Sequence, residues 1–379
     1  MQLDKNTTFR FVLYKEKLIY GAIANDILRR AYGLSHYQKV IVMLIDCSND
    51  FEAHARRYMP ELNIETLNEQ EVKQARRKYL DDIIITHTWP DTLFKIRELF
   101  PNSHIILIEE IPPLFDRIPD SRSHQPLLNR IMTSRPTLHI LTRRYRKAIL
   151  NADAYVAISD YEAEVLINKY GWHAHFTAYE PVDTRYFRFV DGNRNSILVF
   201  GSVKENQKII KAIVDSGAFP NLSEVYELLS GKDTLKEHVC GLKVNHLDSY
   251  DFETISKLYE RAVISIVPEW KGSFELIPVE SIASGVPVIS PLVPSLMIVK
   301  SLMIDVPLKG IEGWPFPFFD YQEIKNVNES DMNKREFERW LSSVDLNRKR
   351  MSDIARSTFG IDVVAKEFNK NLEAIMGNL

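Results

Sequence analysis

Short runs of β-branched and other apolar residues alternate with amphipathic stretches along the chain. In the N-terminal half the apolar runs predict strands at residues 9–14, 40–46, 83–86, 104–108 and 154–158. The stretches between them predict helices, among them residues 21–31, 92–99 and 138–150. Strands that alternate with helices are typical of a parallel sheet with crossover helices, so this half is expected to form one doubly wound α/β domain.

A second series of the same kind follows the polar, turn-rich segment 191–195, which predicts a domain boundary. Its apolar runs predict strands at residues 197–200, 224–229, 263–267 and 286–289. Residues 346–376 have a helical pattern that is interrupted near Gly360. We therefore expect an N-terminal domain over residues 1–190, a C-terminal domain over 191–355, and a final helix over 356–379 that returns to the N-terminal domain.

Length, composition and charge agree with two ordinary globular domains. The chain has 379 residues, which is too long for one typical core, and 45% of them are hydrophobic while 26% are charged. The formal net charge of -3 provides no positive field for a phosphate backbone. Nucleic acid is therefore not an expected partner.

Cysteine usage and hydropathy indicate where the protein acts. Cys47 and Cys240 lie far apart and outside any Cys-x-x-Cys spacing, which favours a reducing compartment and predicts no metal site. No segment has the pattern of a signal peptide or of a membrane span. We expect a cytoplasmic protein, with peripheral contact to the inner face of the membrane as an alternative. The basic segment 143–147 would either contact anionic groups or form a solvated helix face.

The segment 263–289 has the most informative pattern, in which a strand, a loop, a short helix, a glycine and a second strand follow in order. Ligands of open α/β sheets bind beyond the carboxyl ends of the strands, so the loop after Val267 is expected to line a binding site. A helix that begins near Leu276 presents unpaired amides and its positive dipole end, which suit a diphosphate. Glu280, one turn further, can accept hydrogen bonds from ribose hydroxyls. Gly285 is expected to end this helix in the left-handed conformation.

This segment resembles the donor-site signature of the retaining GT-B glycosyltransferases of family 4, in which a Glu, seven residues and a second Glu precede an Ala-Gly-Pro-Val run. Glu280 matches the second Glu. Residues 151–159, 181–187 and 258–268 resemble further family segments in the correct order. The resemblance implies a GT-B fold, in which two Rossmann-like doubly wound domains face each other across a cleft. It also implies an acceptor-binding N-terminal domain and a donor-binding C-terminal domain.

The resemblance also implies a set of donor-binding residues. Lys204 occupies the position of the family's diphosphate-binding Lys, whereas Ser202 stands where an Arg is usual; Lys208 is a second candidate. These lysines could equally form a solvated helix face. The full expected donor set is Gly201, Ser202, Lys204, Lys208, Ser273, Phe274, Leu276, Ile277 and Glu280.

The chain departs from the family pattern where the sugar is bound. Gly272 stands at the position of the first Glu, so Glu275 is the candidate that replaces it at the sugar. In the N-terminal domain, Glu110 follows a predicted strand and could orient or deprotonate an acceptor hydroxyl, or lie in a solvated loop. His87 follows an earlier strand and would either face the site or pack as an ordinary histidine. These three residues are the catalytic candidates.

The resemblance implies transfer of a hexose-type sugar from a nucleotide-diphosphate donor, most simply a UDP- or GDP-sugar, with retention of the anomeric configuration. The expected acceptor is a hydroxyl of a glycan, a lipid-linked molecule or a small molecule. No metal and no separate cofactor are expected, because helix amides and basic side chains can stabilise the leaving diphosphate. Two alternatives remain: a non-catalytic GT-B subunit that binds an acceptor or a partner transferase, and a nucleotide-sugar epimerase.

Overall fold

The computed structural model describes residues 7–16, 22–87, 90–109, 143, 149–201, 206–228, 235–248, 251–268, 274–304, 318–320, 331–345 and 347–377. The chain divides into two compact units. The first takes its described residues from Met1–Pro181, Lys271–Phe274 and Ile361–Leu379. The second takes them from Val182–Trp270 and Glu275–Gly360. The acceptor and donor roles expected for the two domains remain predictions.

The first unit is built on a seven-stranded sheet in the order β3-β2-β1-β4-β5-β6-β7. All its pairings are parallel. The strands are β1 (Thr8–Tyr14), β2 (Lys39–Ile45), β3 (Ile64–Leu67), β4 (Ile83–Thr86), β5 (His104–Glu109), β6 (Ala154–Ala157) and β7 (Phe176–Thr177). The helices between them are α1 (Ala22–Ser35), α2 (Asn49–Tyr58), α3 (Glu69–Ala75), α4 (Pro90–Leu99) and α5 (Asp160–Val165).

The second unit is built on a sheet of order β10-β11-β9-β8-β12-β13-β14. The six strands from β11 to β14 repeat the order from β3 to β6 in the first sheet, and β10 is an additional edge strand that pairs antiparallel with β11. Its strands are β8 (Ser196–Phe200), β9 (Glu224–Leu228), β10 (His238–Val239), β11 (Leu242–Leu247), β12 (Ala262–Ile266), β13 (Val288–Ser290) and β14 (Phe318–Asp320). Its helices are α6 (Asn206–Asp215), α7 (Phe252–Arg261), α8 (Leu276–Ala283), α9 (Pro294–Ile304), α10 (Asp331–Asp345) and α11 (Arg348–Phe359). The last helix, α12 (Ile361–Met376), belongs to the first unit.

The central strands are buried on both faces, which explains why their sequences are continuous apolar runs. All of β8 and β12, and nearly all of β1 and β2, are buried. Polar caps then set where helices begin. Ser48 accepts a hydrogen bond from the amide of Phe51 at the start of α2, and Asn68 forms a capping box with Glu71 at the start of α3.

The predicted strands of both series are confirmed within a residue or two of their ends, and the break near Gly360 separates α11 from α12. The predicted helix over residues 21–31 was too short, because α1 continues to Ser35. Gly33 lies in this added turn and lets α1 pack closely against α12, since a Cβ there would lie 2.6 Å from the Cβ of Ala365. The predicted helix over residues 138–150 lies almost entirely outside the described residues.

Among the described helices, none has the combination of length and apolar character that crossing a bilayer requires.

Candidate functional site

The second sheet reverses its strand order at β8. From β8 the chain proceeds to β9 on one side and later returns to β12 on the other. Val199 of β8 pairs with Ile266 of β12 in a parallel register, so both strands end at the same edge of the sheet. At such a switch point the two connections leave in opposite directions and open a crevice beyond the carboxyl ends, where ligands of this fold class bind. The residues after Phe200 and after Ile266 therefore border the candidate site.

Gly201 makes the turn that follows β8. It adopts a φ of +89°, and among the described residues no heavy atom lies within 4 Å of a Cβ built there. The side chain of Asn206, which is fully buried at the start of α6, donates a hydrogen bond of 3.1 Å to the Gly201 carbonyl. This bond fixes the backbone where it leaves the strand. Sequence reasoning identified Gly201 and missed Asn206, although a polar residue at a helix start is a recognisable signal.

Helix α8 begins at the same edge of the sheet, because it connects β12 to the parallel strand β13. The backbone amides in the first turn of a helix have no acceptor within the helix. Pro278 lies in the first turn of α8 and has no backbone N–H. The amides of Leu276 and Ile277 lie at the positive end of the helix dipole. This arrangement of donors suits an anionic ligand.

The carboxyl end of α8 is held by backbone geometry. Gly285 has a φ of +73°, and the amides of Gly285 and Val286 donate to the carbonyls of Ile282 and Ser281 at 2.8 and 2.9 Å. The predicted left-handed end of this helix is thus confirmed. Buried Arg348 of α11 donates to the Gly285 carbonyl at 3.1 Å. The helix axis is fixed before any ligand binds.

Two carboxylates lie on this helix and at its start. Glu280 is 8% exposed and lies one turn into α8. Glu275 precedes the first helical residue with a φ of +66° and a ψ of 94°, which a residue with a side chain rarely adopts. Its side chain makes no capping hydrogen bond, and its carbonyl accepts one from Ser295 at 3.0 Å. Backbone outliers of this kind cluster at ligand sites, and this one could not be read from the sequence.

The remaining donor candidates have varied surroundings. Leu276 is buried and Ile277 half-buried, whereas Lys208 lies exposed on α6. Phe274 is fully buried, is assigned to the first unit, and stacks on Tyr179 with ring centroids 6.0 Å apart. The predicted residues outside the described part of the chain are Ser202, Lys204, Ser273 and Glu110.

The first sheet has its own switch point, between β1 and β4, and His87 directly follows β4. The Thr86 hydroxyl donates to the Val12 carbonyl at 3.1 Å, which joins the two strand ends. His87 is half-buried, and desolvation together with the nearby Arg30 charge lowers its pKa to about 3. The imidazole is therefore neutral at physiological pH.

Comparison with known proteins identifies the architecture. No protein-family model matches the sequence, and no curated protein matches it. Among solved structures, sucrose-phosphate synthase from Thermosynechococcus elongatus is similar with a TM-score of 0.60 and 11% identity, over 99% of this chain and 100% of that one. HepE from Anabaena, solved with UDP-glucose, is similar with a TM-score of 0.57 and 14% identity, over 97% of this chain and 100% of that one. A UDP-GlcNAc 2-epimerase from Neisseria meningitidis, bound to UDP-GlcNAc, has a TM-score of 0.57 and 13% identity, over 97% of this chain and 99% of that one.

At these identities the likeness shows the fold alone. The structural neighbours include GT-B glycosyltransferases, and both sheets have the strand order of a doubly wound fold. The expected fold class is therefore confirmed: the chain has the GT-B architecture of two Rossmann-like α/β domains.

Proposed function

We propose that the chain is a glycosyltransferase whose second unit binds a nucleotide-diphosphate sugar at the β8–β12 switch point. One observation carries the proposal: helix α8 starts there, with first-turn amides that have no acceptor within the helix, and carries a buried carboxylate, Glu280, one turn further in. Amides and a carboxylate at that spacing suit the two polar parts of one ligand, namely its diphosphate and its ribose.

The diphosphate would accept hydrogen bonds from the amides of Leu276 and Ile277, which also lie at the positive end of the helix dipole. The left-handed turn at Gly201 lets the backbone approach a ligand without a side chain in between. Lys204 would add a positive charge, with Lys208 as the second candidate. Ser202 and Ser273, which precede α6 and α8 in the sequence, would contribute polar groups.

The Glu280 carboxylate would accept hydrogen bonds from the ribose hydroxyls. A buried carboxylate makes strong charge-assisted hydrogen bonds, so this contact would fix the orientation of the nucleoside. Glu275 would contact the sugar, because its backbone conformation turns the chain sharply just ahead of the amides.

The proposed reaction is transfer of a hexose with retention of configuration. The acceptor oxygen forms a bond to the anomeric carbon as the bond from that carbon to the β-phosphate oxygen breaks on the same face. The acceptor proton passes to the departing β-phosphate, and the nucleoside diphosphate leaves. The α8 amides would stabilise the negative charge that develops on the leaving group.

The neighbours give this proposal its context. HepE was solved with UDP-glucose, which makes a UDP-sugar the first donor to test. The epimerase neighbour was bound to UDP-GlcNAc, so a nucleotide-sugar epimerase is the second candidate. Cys47 and Cys240 are both free thiols, which supports action in the reducing environment of the cytoplasm.

A thermal-shift screen of the full chain against UDP-glucose, GDP-mannose, ADP-glucose and TDP-glucose tests the donor site. A ligand at a hundred times its dissociation constant should add roughly 2.7 kcal/mol of stability. We expect one nucleotide class to raise the melting temperature clearly. No shift with any of the four would contradict the proposal.

The stabilising donor is then incubated with the protein and its products are separated. Release of nucleoside diphosphate with transfer or hydrolysis of the sugar supports a transferase. Conversion of the sugar into its epimer supports the second candidate. Donor binding without turnover, with acceptors of each expected class present, supports a non-catalytic subunit.

A further inference from the structure

Helix α1 of the first unit buries a polar face that the proposed function does not use. Asn25, Asp26, Arg29 and Arg30 are each no more than 5% exposed. The Arg29 side chain donates to the Tyr58 hydroxyl at 2.9 Å and to a backbone carbonyl at 3.2 Å. A helix face this polar is expensive to bury, so its groups need partners.

The pair formed by Asp26 and Arg30 has donor and acceptor atoms left over. Arg30 Nε donates to Asp26 Oδ2 at 2.7 Å, and Arg30 Nη2 donates to the Ala178 carbonyl at 3.0 Å. Within the described part of the chain, Asp26 Oδ1 and Arg30 Nη1 are buried without a hydrogen-bond partner. One ion pair therefore offers one strong acceptor and one strong donor, and buried polar atoms of this kind are rare unless something binds them.

This pair belongs to the helix that follows β1, the strand at which the first sheet reverses its order. The chain enters α1 from the carboxyl end of β1, which is the edge where ligands of doubly wound sheets bind. His87 extends from the end of the neighbouring strand β4, close enough to Arg30 for the guanidinium charge to act on its imidazole. A neutral imidazole supplies one further donor and one further acceptor.

The two unpartnered atoms have opposite hydrogen-bonding character. Asp26 Oδ1 accepts hydrogen bonds, whereas Arg30 Nη1 donates them. An anion without a proton cannot donate to Asp26 Oδ1, and an ammonium or guanidinium cation cannot accept from Arg30 Nη1, so neither satisfies both atoms. A hydroxyl both donates and accepts, and adjacent hydroxyls on one ring can satisfy Asp26 Oδ1 and Arg30 Nη1 together.

We infer that Asp26, Arg30 and His87 form a binding site for an uncharged, polyhydroxylated ring, and that this site holds the sugar acceptor. The role as acceptor site rests on the proposed function, whereas binding of an uncharged sugar ring is independent of it. The inference narrows the acceptor to a glycoside presented through adjacent hydroxyls. It excludes a phosphorylated or otherwise charged group at this position.

Saturation-transfer NMR on the full chain tests the site with methyl glycosides of glucose, galactose and mannose as probes, each at millimolar concentration with saturating UDP present. We expect saturation transfer from the protein to the ring protons of at least one glycoside. We expect Arg30→Lys, which keeps the charge but removes Nη1, and Asp26→Asn each to weaken that binding roughly ten- to a hundredfold. The matched control is Arg29→Lys, whose guanidinium already bonds to Tyr58, and it should retain binding.

UDP affinity and melting temperature, measured on the same samples, separate the possible failures. UDP binding without saturation transfer to any glycoside contradicts this site and is compatible with the proposed donor site. Equal weakening in all three folded variants also contradicts it, because loss of packing would then explain the effect. A hexose 6-phosphate that binds at least about tenfold more tightly than its methyl glycoside, and loses that gain in Arg30→Lys, overturns the uncharged class. If Arg30→Lys does not fold, Asp26→Asn decides.

Discussion

Six strands in each sheet share one order, but the two sheets end in different chemistry. At the switch point of the second sheet, the groups presented are mostly backbone: the Gly201 turn and the first amides of α8. At the switch point of the first sheet, they are side chains: the Asp26–Arg30 pair and His87. The shared strand order therefore places two kinds of candidate site at equivalent edges.

The difference teaches that topology fixes where a ligand binds, whereas the residues at the strand ends fix which ligand binds. Amides at a helix start favour an anion of almost any shape, since they act through the dipole and donors of one sign. A buried donor and acceptor held in one ion pair favour neutral hydroxyls. The predictions below test each half of this contrast.

The largest effect is expected for Gly285→Ala. Its left-handed φ costs a side chain about 1 to 2 kcal/mol, and the new Cβ would lie 2.5 Å from a ring carbon of Phe189, which adds about 1 to 3 kcal/mol. We expect urea titration to show a loss of about 2 to 5 kcal/mol. Gly201→Ala is the control, because its φ is also left-handed but its Cβ meets open space. Equal losses for the two variants would show that α8 is not held by the close packing at Gly285.

Next comes Glu275→Ala, which tests the sugar contact. As a sugar ligand used in the transition state, its removal should reduce turnover by one to three orders of magnitude, or about 1.4 to 4 kcal/mol. Alanine adopts the left-handed φ at about the same steric cost as glutamate, so the melting temperature should change little.

Glu275→Gly separates strain from chemistry. Glycine adopts a φ of +66° at no steric cost, so this variant should be more stable than Glu275→Ala by about 1 kcal/mol. Both variants should lose turnover equally. Normal turnover in Glu275→Ala would remove the residue from the site.

A smaller effect is expected for Glu280→Gln, which keeps the shape of the side chain and removes its charge. A charge-assisted hydrogen bond to ribose would become a neutral one, at a cost of about 1 to 2 kcal/mol in calorimetric donor affinity. Glu253→Gln, in an exposed ion pair with Lys257, is the matched control and should bind the donor normally. Unchanged affinity in a folded Glu280→Gln protein would reject the ribose contact.

The last effect concerns His87 and the pH dependence of stability, and it accrues gradually with pH. Its folded pKa of about 3 lies below the usual value of 6.5, so between these values the unfolded chain binds a proton that the folded chain does not. Stability from His87 is fully present above pH 6.5 and is lost as the pH falls. We expect His87→Gln to reduce the slope of stability against pH between about 4 and 6, by at most about 1.4 kcal/mol per pH unit. If His87→Gln keeps the wild-type slope of stability against pH, burial of this imidazole is contradicted. His36→Gln, at an exposed histidine, is the control.

The sequence was a good guide to elements with strong local signals. The apolar runs of the central strands, and the glycine that ends α8, made both features predictable. Strands β3 and β11 were missed, because IETL and LKVNHL lack the continuous apolar runs of the central strands; their alternation of apolar and polar residues is instead the pattern of a half-buried strand.

The side-chain site of the first unit could not be predicted. Asp26 and Arg30 have the sequence pattern of a solvated helix pair, and they are buried only because the chain returns to them: the carbonyl that Arg30 contacts lies 148 residues further on. The conformation of Glu275 was equally hidden, since no local motif requires a Glu with a positive φ.

The central claim is that the diphosphate binds at the start of α8 in the second unit. Hydrogen–deuterium exchange of the full chain with and without UDP tests it most directly, since the amides of Leu276 and Ile277 lack helical partners and would gain them from phosphate oxygens. The account predicts slower exchange in peptides that cover residues 196–201 and 274–283, and unchanged exchange in those that cover 22–35 and 83–87. Protection confined to the first unit, at UDP concentrations that saturate binding, would contradict it.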